Sequence, residues 1–589
     1  MNKRNPTLRE TFNLAHEHYK KREYESAISF CNKILNVDPS HFDTNFLLSS
    51  ISAIMGDFEK SKIFLTKAIE INPDNVNAYN NLGNIEMQLK NYEKAKNAYE
   101  KAISIVPKHL NAHSNLGILY FNSKNYIEAI KYFEKAIEIK PNYGTGYYNL
   151  GNIYVELKKY QKAISSYQKA LEINPNNTSA LNNLGLTFRA SDDLLNAIDS
   201  YKKVLKIKPE HAGAHHNLAL AYKEIGEFDK AIKSHQNGIN YEPNNMTHYF
   251  YLSDLKQEII NENLKNQIKQ EIDKKDANLR NIAYGNLLLA RYEKKAENYK
   301  NEMNYLIKGH KAFFDLKKEK FTLGVKYVFE DILEISESIN TTNLLKKRID
   351  PDLKPIFIVG VPRCGSTVIE KIIASGTPNL PMSEESTILE NFVNKKILEK
   401  ESVNLGEVSD LRKELIELYK QKGVISKNSN YIFTDKSLNN FFYIGIIKDI
   451  FPEAKIINCK RDFLSSIVSI LQNNLTELAW THSVGNIFKY FDNYLKVIEN
   501  FKEVYPDDIY DLQFENFIND PETESKKLMK VCNLVWNEKC LEFYKRKDLI
   551  SKTASNVQIR RGIYKDSSKK YLPYKEILNE YGKNYSWFK

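Results

Sequence analysis

The sequence predicts two folds in tandem, an α-superhelix of stacked helix pairs followed by a three-layer α/β domain around a parallel sheet. Three observations carry that prediction. Prolines recur every 34 residues at Pro39, Pro73, Pro107, Pro141, Pro175, Pro209 and Pro243. The period fails after about residue 245, although amphipathic helical patterning continues to about residue 350. A run of β-branched and aromatic residues, Ile356-Phe357-Ile358-Val359, then feeds a Gly-containing turn and an apolar-periodic segment with Val368, Ile369, Ile372 and Ile373, which reads as strand, loop and helix. At 589 residues the chain is also too long for one hydrophobic core.

Within the periodic region a small residue returns at Ala27, Ser61, Ala95, Ala129, Ala163, Ala197 and Ala231, and a second small position at Gly83, Gly117, Gly151, Gly185 and Ala219. Two small positions per unit let paired helices cross closely, and a proline near the end of the second helix closes each unit. This 34-residue grammar resembles the tetratricopeptide repeat (TPR), with seven units expected across residues 1–245. The resemblance implies a concave groove that binds an acceptor protein, a peptide or glycan, or a partner protein. The recurrent amides at Asn80, Asn81, Asn149, Asn182, Asn183 and Asn217 fit either of two roles, bonding a peptide backbone or bonding neighbouring helices. Residues 246–350 are expected to be a helical connector or degenerate repeats, interrupted only by Gly285, Gly309 and Gly324, with the α/β domain occupying 351–589.

The loop Gly360-Val361-Pro362-Arg363-Cys364-Gly365-Ser366-Thr367 keeps the GxxxxG interval of a phosphate-binding loop, but Ser366 stands where the nucleotide-hydrolysing form places lysine. Arg363 sits inside the loop instead. A second buried-strand signal, Ala454 to Cys459, ends at Lys460-Arg461-Asp462 and leads into a helical pattern containing Ser469. Between the two, Tyr431 to Asp435 reads as a short strand ending at Lys436, 25 residues before Arg461, a spacing compatible with one helix returning the chain to the adjacent parallel strand.

These pieces resemble sulfotransferases that use 3′-phosphoadenosine-5′-phosphosulfate (PAPS), and in particular the tyrosylprotein sulfotransferases. The resemblance implies that residues 362–367 hold the 5′-phosphosulfate and that Arg461 and Ser469 grip the 3′-phosphate. It places Lys436 beside the transferred sulfonate and Glu385, in Ser383-Glu384-Glu385-Ser386, as the base, with Arg363 as a further catalytic cation. It also implies nucleotide contacts from Phe514, from Ser555, Arg560, Arg561 and Tyr564, and from Lys570 ahead of Tyr571. The family's usual Tyr-Glu is here Phe514-Glu515, which keeps an aromatic face and loses a hydroxyl, and its common Trp is Tyr571.

Composition excludes several other classes. With 42% apolar and 27% charged residues the chain reads as soluble and globular, no membrane span is visible, and its polar start predicts a cytoplasmic protein, expected to be bacterial-like. Five scattered cysteines without a CxxC pair imply neither a zinc site nor a disulfide framework. A net charge of +11 spread along helical surfaces does not make a nucleic-acid footprint. The expected function is therefore a PAPS-dependent, metal-independent sulfotransferase acting on a hydroxyl of protein tyrosine, carbohydrate or a small molecule. Two alternatives remain from the sequence: a TPR adaptor with a non-catalytic nucleotide-binding domain, and a P-loop kinase or NTPase, against which Ser366 counts.

Overall fold

A computed structural model describes residues 7–340, 353–383, 385–398, 408–425, 432–546 and 571–588, with side chains of the segment ending at 340 described to residue 336. It divides into two compact units, Met1–Leu218 and Ala219–Lys589.

The first unit is built from helix pairs whose first members begin 34 residues apart: Leu8–Lys20, Phe42–Ile54, Val76–Gln88, Leu110–Asn122, Gly144–Glu156 and Thr178–Ala190. The prolines lie just beyond the second helices, as Pro73 does after Phe58–Ile71 and Pro107 after Tyr92–Ile105, where an absent N–H costs no helical bond. Each recurrent glycine faces an aromatic ring of the partner helix. A Cβ on Gly83 would fall 2.4 Å from Tyr99, and one on Gly151 would fall 2.5 Å from Tyr167. The buried phenols then need acceptors, and Tyr99 donates to Asn84 Oδ1 at 2.8 Å while Tyr167 donates to Asn152 Oδ1 at 2.7 Å. The amides pair across repeats: Asn115 Nδ2 donates to Asn80 and Asn84, Asn183 Nδ2 to Tyr148 and Asn152, and Asn217 Nδ2 to Asn182. Of the amides singled out in the sequence, Asn80, Asn182, Asn183 and Asn217 bond neighbouring helices.

In the second unit the paired helices give way to Met246–Leu255, Glu262–Ile272, Leu279–Lys295, Tyr299–Leu316 and Lys318–Lys326, then one π-helical turn, Tyr327–Asp331. Their apolar faces join the same buried core as the sheet, so Met246, Leu287 and Phe313 share it with Phe357, Ile457 and Phe488. Buried polar contacts fasten the connector to the α/β part. Glu302 accepts from Tyr574 at 2.6 Å and from Gln472 at 2.7 Å. His310 and His482 meet Nδ1 to Nδ1 at 2.9 Å, and His310 Nε2 donates to the Leu471 carbonyl at 2.7 Å.

Among the described residues the sheet has four parallel strands, β1 (Ile356–Val359), β2 (Thr434–Asp435), β3 (Lys455–Lys460) and β4 (Ile509–Gln513), in the order β2-β1-β3-β4. Every residue of β1 is at most 1% exposed, so both faces are covered, as a parallel sheet requires. One expectation is corrected by this order. β2 and β3 are not neighbours, because the chain crosses over β1 between them. That reversal makes a topological switch point, and the crevice beyond the carboxyl ends of the strands is where such sheets bind ligands.

Candidate active site

All the described candidate groups except the Glu385 loop and Ser469 lie at or just beyond the carboxyl ends of the four strands. β1 delivers the loop Gly360–Gly365, β2 delivers Lys436, β3 delivers Arg461, and β4 delivers Phe514. The phosphate loop is shaped by residues in the left-handed region: Gly360 at φ 149°, Arg363 at 69° and Gly365 at 100°. A Cβ at Gly360 would lie 2.6 Å from the Cys459 carbonyl, and one at Gly365 would lie 2.4 Å from the Phe514 ring, so both positions demand glycine twice over. Arg363 pays the conformational cost at a non-glycine residue, a type of strain that clusters at ligand clamps.

The helix Ser366–Gly376 starts from Gly365 without a side-chain cap, so its first-turn N–H groups face the loop, a ready anion site. Ser366 and Thr367 open that turn at 9% and 8% exposure, and Pro362 is buried beneath it. Cys364 points inward at 0% exposure, where its thiol shares a hydrogen bond with Cys459, and that bond together with burial pushes the Cys459 thiol up. Only the backbone of Cys364 is therefore offered to a ligand.

Two clefts converge on this edge. In the first, of about 490 Å³, Arg363 Nε donates to Ser469 Oγ at 3.0 Å and Arg461 donates to the Arg363 carbonyl at 3.1 Å. The Arg461 guanidinium lies 5.5 Å from the centre of the Phe514 ring, which is itself pressed against Gly365. Arg363, Arg461, Ser469 and Phe514 thus form one group. Sequence reasoning missed the far wall, where Arg291, Lys294 and Lys295 come from the connector helix Leu279–Lys295. In sequence these cations look like an ordinary solvated helix end.

The second group is Glu385 with Lys436, whose Nζ and Oε1 are 2.7 Å apart. Lys436 is 1% exposed and Glu385 40%, so a buried ammonium is compensated by a carboxylate at the lip of a cleft of about 310 Å³. The backbone explains the pairing. Thr434 N donates to the Pro381 carbonyl and Ser383 N to the Thr434 carbonyl, both at 2.9 Å, strapping the acidic loop alongside β2. Thr387 N then donates to Ser437 Oγ at 3.0 Å. Asp435, fully buried, accepts from Tyr419, Ser437 and Asn440 and fixes the turn that carries Lys436.

Glu384 and the nucleotide candidates Ser555, Arg560, Arg561, Tyr564 and Lys570 lie outside the described residues. Tyr571, which follows them, lines the first cleft.

Residues 355–538 match the sulfotransferase family, and tetratricopeptide repeat families match 12–41, 42–75, 74–142, 108–176, 142–210 and 200–233. The chain joins a TPR array to a sulfotransferase-family domain. An uncharacterized protein of Aquifex aeolicus (strain VF5) is 28% identical over 292 residues, which is 47% of this chain and 36% of that protein. The chain therefore spans little more than a third of that relative's length. Among solved structures, YrrB, a TPR protein with an unusual peptide-binding site, is 29% identical with a TM-score of 0.28, over 31% of this chain and 95% of its own. The C-terminal part of a TPR repeat-containing protein from Cytophaga hutchinsonii is 22% identical with a TM-score of 0.35, over 40% of this chain and 98% of its own. No helix among the described residues is long and apolar enough to cross a membrane.

Proposed function

We propose that this sulfotransferase moves a sulfonate from PAPS, as co-substrate, to a hydroxyl of an acceptor, with the array of residues 1–245 binding the acceptor or a partner protein, the connector spanning 246–350 and the catalytic domain 351–589. The observation that carries the reading is the Glu385–Lys436 pair, held at the end of the strand beside the phosphate loop. Sulfonyl transfer needs a base for the acceptor proton and a cation for the leaving phosphate oxygen, and these two residues supply both.

Glu385, half-open to the second cleft, takes the proton as the acceptor oxygen attacks sulfur. Its bond to Lys436 is given up as it does so, and the ammonium turns to the oxygen released when the sulfur–phosphate oxygen bond breaks. Arg461, Ser469 and Arg363 hold the 3′-phosphate end, and the loop N–H groups hold the 5′ end. Arg363 accordingly works by binding and orienting, since its guanidinium lies with Ser469. Transfer is direct, and the inward-facing Cys364 thiol takes no covalent part. The free cysteines Cys31, Cys364, Cys459, Cys532 and Cys540, all buried, favour a reducing, cytoplasmic compartment.

Calorimetric titration tests the reading. Adenosine 3′,5′-bisphosphate should bind roughly ten- to a hundredfold more tightly than AMP, the equivalent of about 1.5–3 kcal/mol for a charge-assisted contact to the 3′-phosphate. ATP should bind as poorly as AMP, and Arg461→Ala should abolish the preference. Equal affinity for AMP and the bisphosphate in the wild-type protein would refute it.

A further inference from the structure

The cleft that Glu385 borders has a wall that does not come from the matched sulfotransferase region at all. Phe321, Gly324, Tyr327 and Val328 of the connector close it on one side, opposite Leu478, Ala479 and Trp480. This approach is close by design of the sequence: a Cβ on Gly324 would lie 3.1 Å from that of Ala479. At the rim Lys320 of the connector pairs with Glu477 at 3.0 Å, both side chains being 69% exposed.

A local irregularity sets the inner part of that wall. The helix widens into a single π-turn at Tyr327–Asp331, a bulge of a type that recurs at functional sites. Here it delivers the Tyr327 hydroxyl to Glu390 Oε1 at 2.7 Å, while Asn394 donates to the same hydroxyl at 2.7 Å. Asn439, three residues after Lys436, donates to the same Glu390 oxygen at 3.0 Å. One hydrogen-bonded chain thus runs from the connector to the segment that carries Lys436. The floor is a pair of stacked rings, Trp480 and Tyr490, 3.8 Å apart and inclined by 12°.

Resting on the function proposed above, we infer that the connector residue Tyr327 is a specificity-determining residue of the acceptor pocket, with the buried Phe321 supporting the wall behind it. The acceptor it selects presents its hydroxyl on a ring with an apolar face. The hydroxyl must reach Glu385, and the space beside that carboxylate is lined by Tyr327, Trp480 and other apolar side chains, with Thr387, Glu390 and Asn439 as polar edges and Lys320 and Glu477 at the rim. Its volume of about 310 Å³ lies at the lower end of the roughly 300–1,000 Å³ of small-molecule pockets, room for one ring and not for an extended segment. A phenol and a hexose share this chemistry, and the experiment separates them.

The full-length protein is titrated with 4-nitrophenol and with methyl glucoside, each with and without saturating adenosine 3′,5′-bisphosphate. At least one probe should bind saturably, and its affinity should fall at least tenfold in Tyr327→Ala, which removes the wall, and in Lys320→Trp, which adds bulk at an exposed rim where folding is not at risk. Bisphosphate affinity should stay within twofold in both variants. Saturable binding of 4-nitrophenol alone marks an aromatic acceptor and of the glucoside alone a carbohydrate, and either supports the pocket. Binding of neither probe, or equal binding by wild type and Lys320→Trp, overturns the inference. If a probe binds as expected while the bisphosphate does not, the pocket stands and the co-substrate reading falls.

Discussion

Acidification from pH 7.5 to 5 tests the buried imidazole pair that joins the connector to the α/β part. Burial holds His310 down to about 4 and His482 to about 2, the latter also opposed by the neighbouring His310 ring. Both folded values lie below the unfolded one near 6.5, so below that pH the unfolded chain binds more protons than the folded chain. The stability tied to the neutral pair is complete above about pH 6.5 and is lost as pH falls through the window toward about 4 and then about 2. At roughly 1.4 kcal/mol per pH unit, the 1.5 units between 6.5 and 5 cost about 2 kcal/mol for one imidazole. Both rings stay neutral in the folded chain throughout this interval, so the second imidazole adds a similar loss. All three tryptophans, Trp480, Trp536 and Trp587, lie in the second unit, so urea unfolding followed by tryptophan fluorescence reports that unit alone. Glu302, whose carboxyl is raised by burial, contributes with the opposite sign and gains stability as pH falls. It is unchanged in a His482→Phe variant, whose ring keeps the stacking against Phe313 and Phe321, and so cancels in the comparison. The wild-type protein should lose about 2 kcal/mol more than the variant over this interval. Parallel pH profiles for the two would refute the neutral buried pair.

Gly365→Ala should abolish binding of adenosine 3′,5′-bisphosphate, since the new methyl meets Phe514 in a backbone conformation that L-residues avoid; calorimetry showing wild-type affinity would contradict the loop geometry. Glu385→Gln and Lys436→Met should bind the bisphosphate nearly as wild type does yet lose roughly 10²–10⁴-fold in sulfonate transfer, measured with radiolabelled PAPS. Glu384→Gln should stay active, and a dead Glu384→Gln beside an active Glu385→Gln would move the base by one residue. In the array, Gly151→Val should cost about 1–3 kcal/mol by forcing Tyr167 aside. An unchanged first transition in far-ultraviolet circular dichroism melting would argue against that packing.

Much of the architecture was legible because it is periodic or because it obeys backbone chemistry. The 34-residue proline spacing marks the repeats, and the glycines at 360 and 365 announce a loop that only glycine can make. What was not legible comes from contacts between distant segments. Nothing in the pattern of Leu279–Lys295 says that Arg291 and Lys294 face Arg363 across a cleft, and nothing around Tyr327 foretells a hydrogen bond to Glu390. The order of β2 and β3 escaped for the same reason, since a 25-residue return is long enough either to reach the next strand or to pass over one. Nor does the sequence foretell that Arg363 Nε bonds Ser469 Oγ, 106 residues away, at 3.0 Å.

The one buried cluster that joins described residues from Met246 to Phe588 has a consequence for how such a chain can be recombined. Sequence relatedness to sulfotransferases begins at residue 355, but the inheritable module does not. A gene fusion cut at 355 would leave Phe357, Ile457 and Phe488 without the helices that cover them and would discard Tyr327 with its side of the pocket. Exchange of whole 34-residue units upstream leaves that core intact. Variation among such proteins should therefore accumulate in the number of repeats within the first unit, while the second unit, from Ala219 onward, travels as a block.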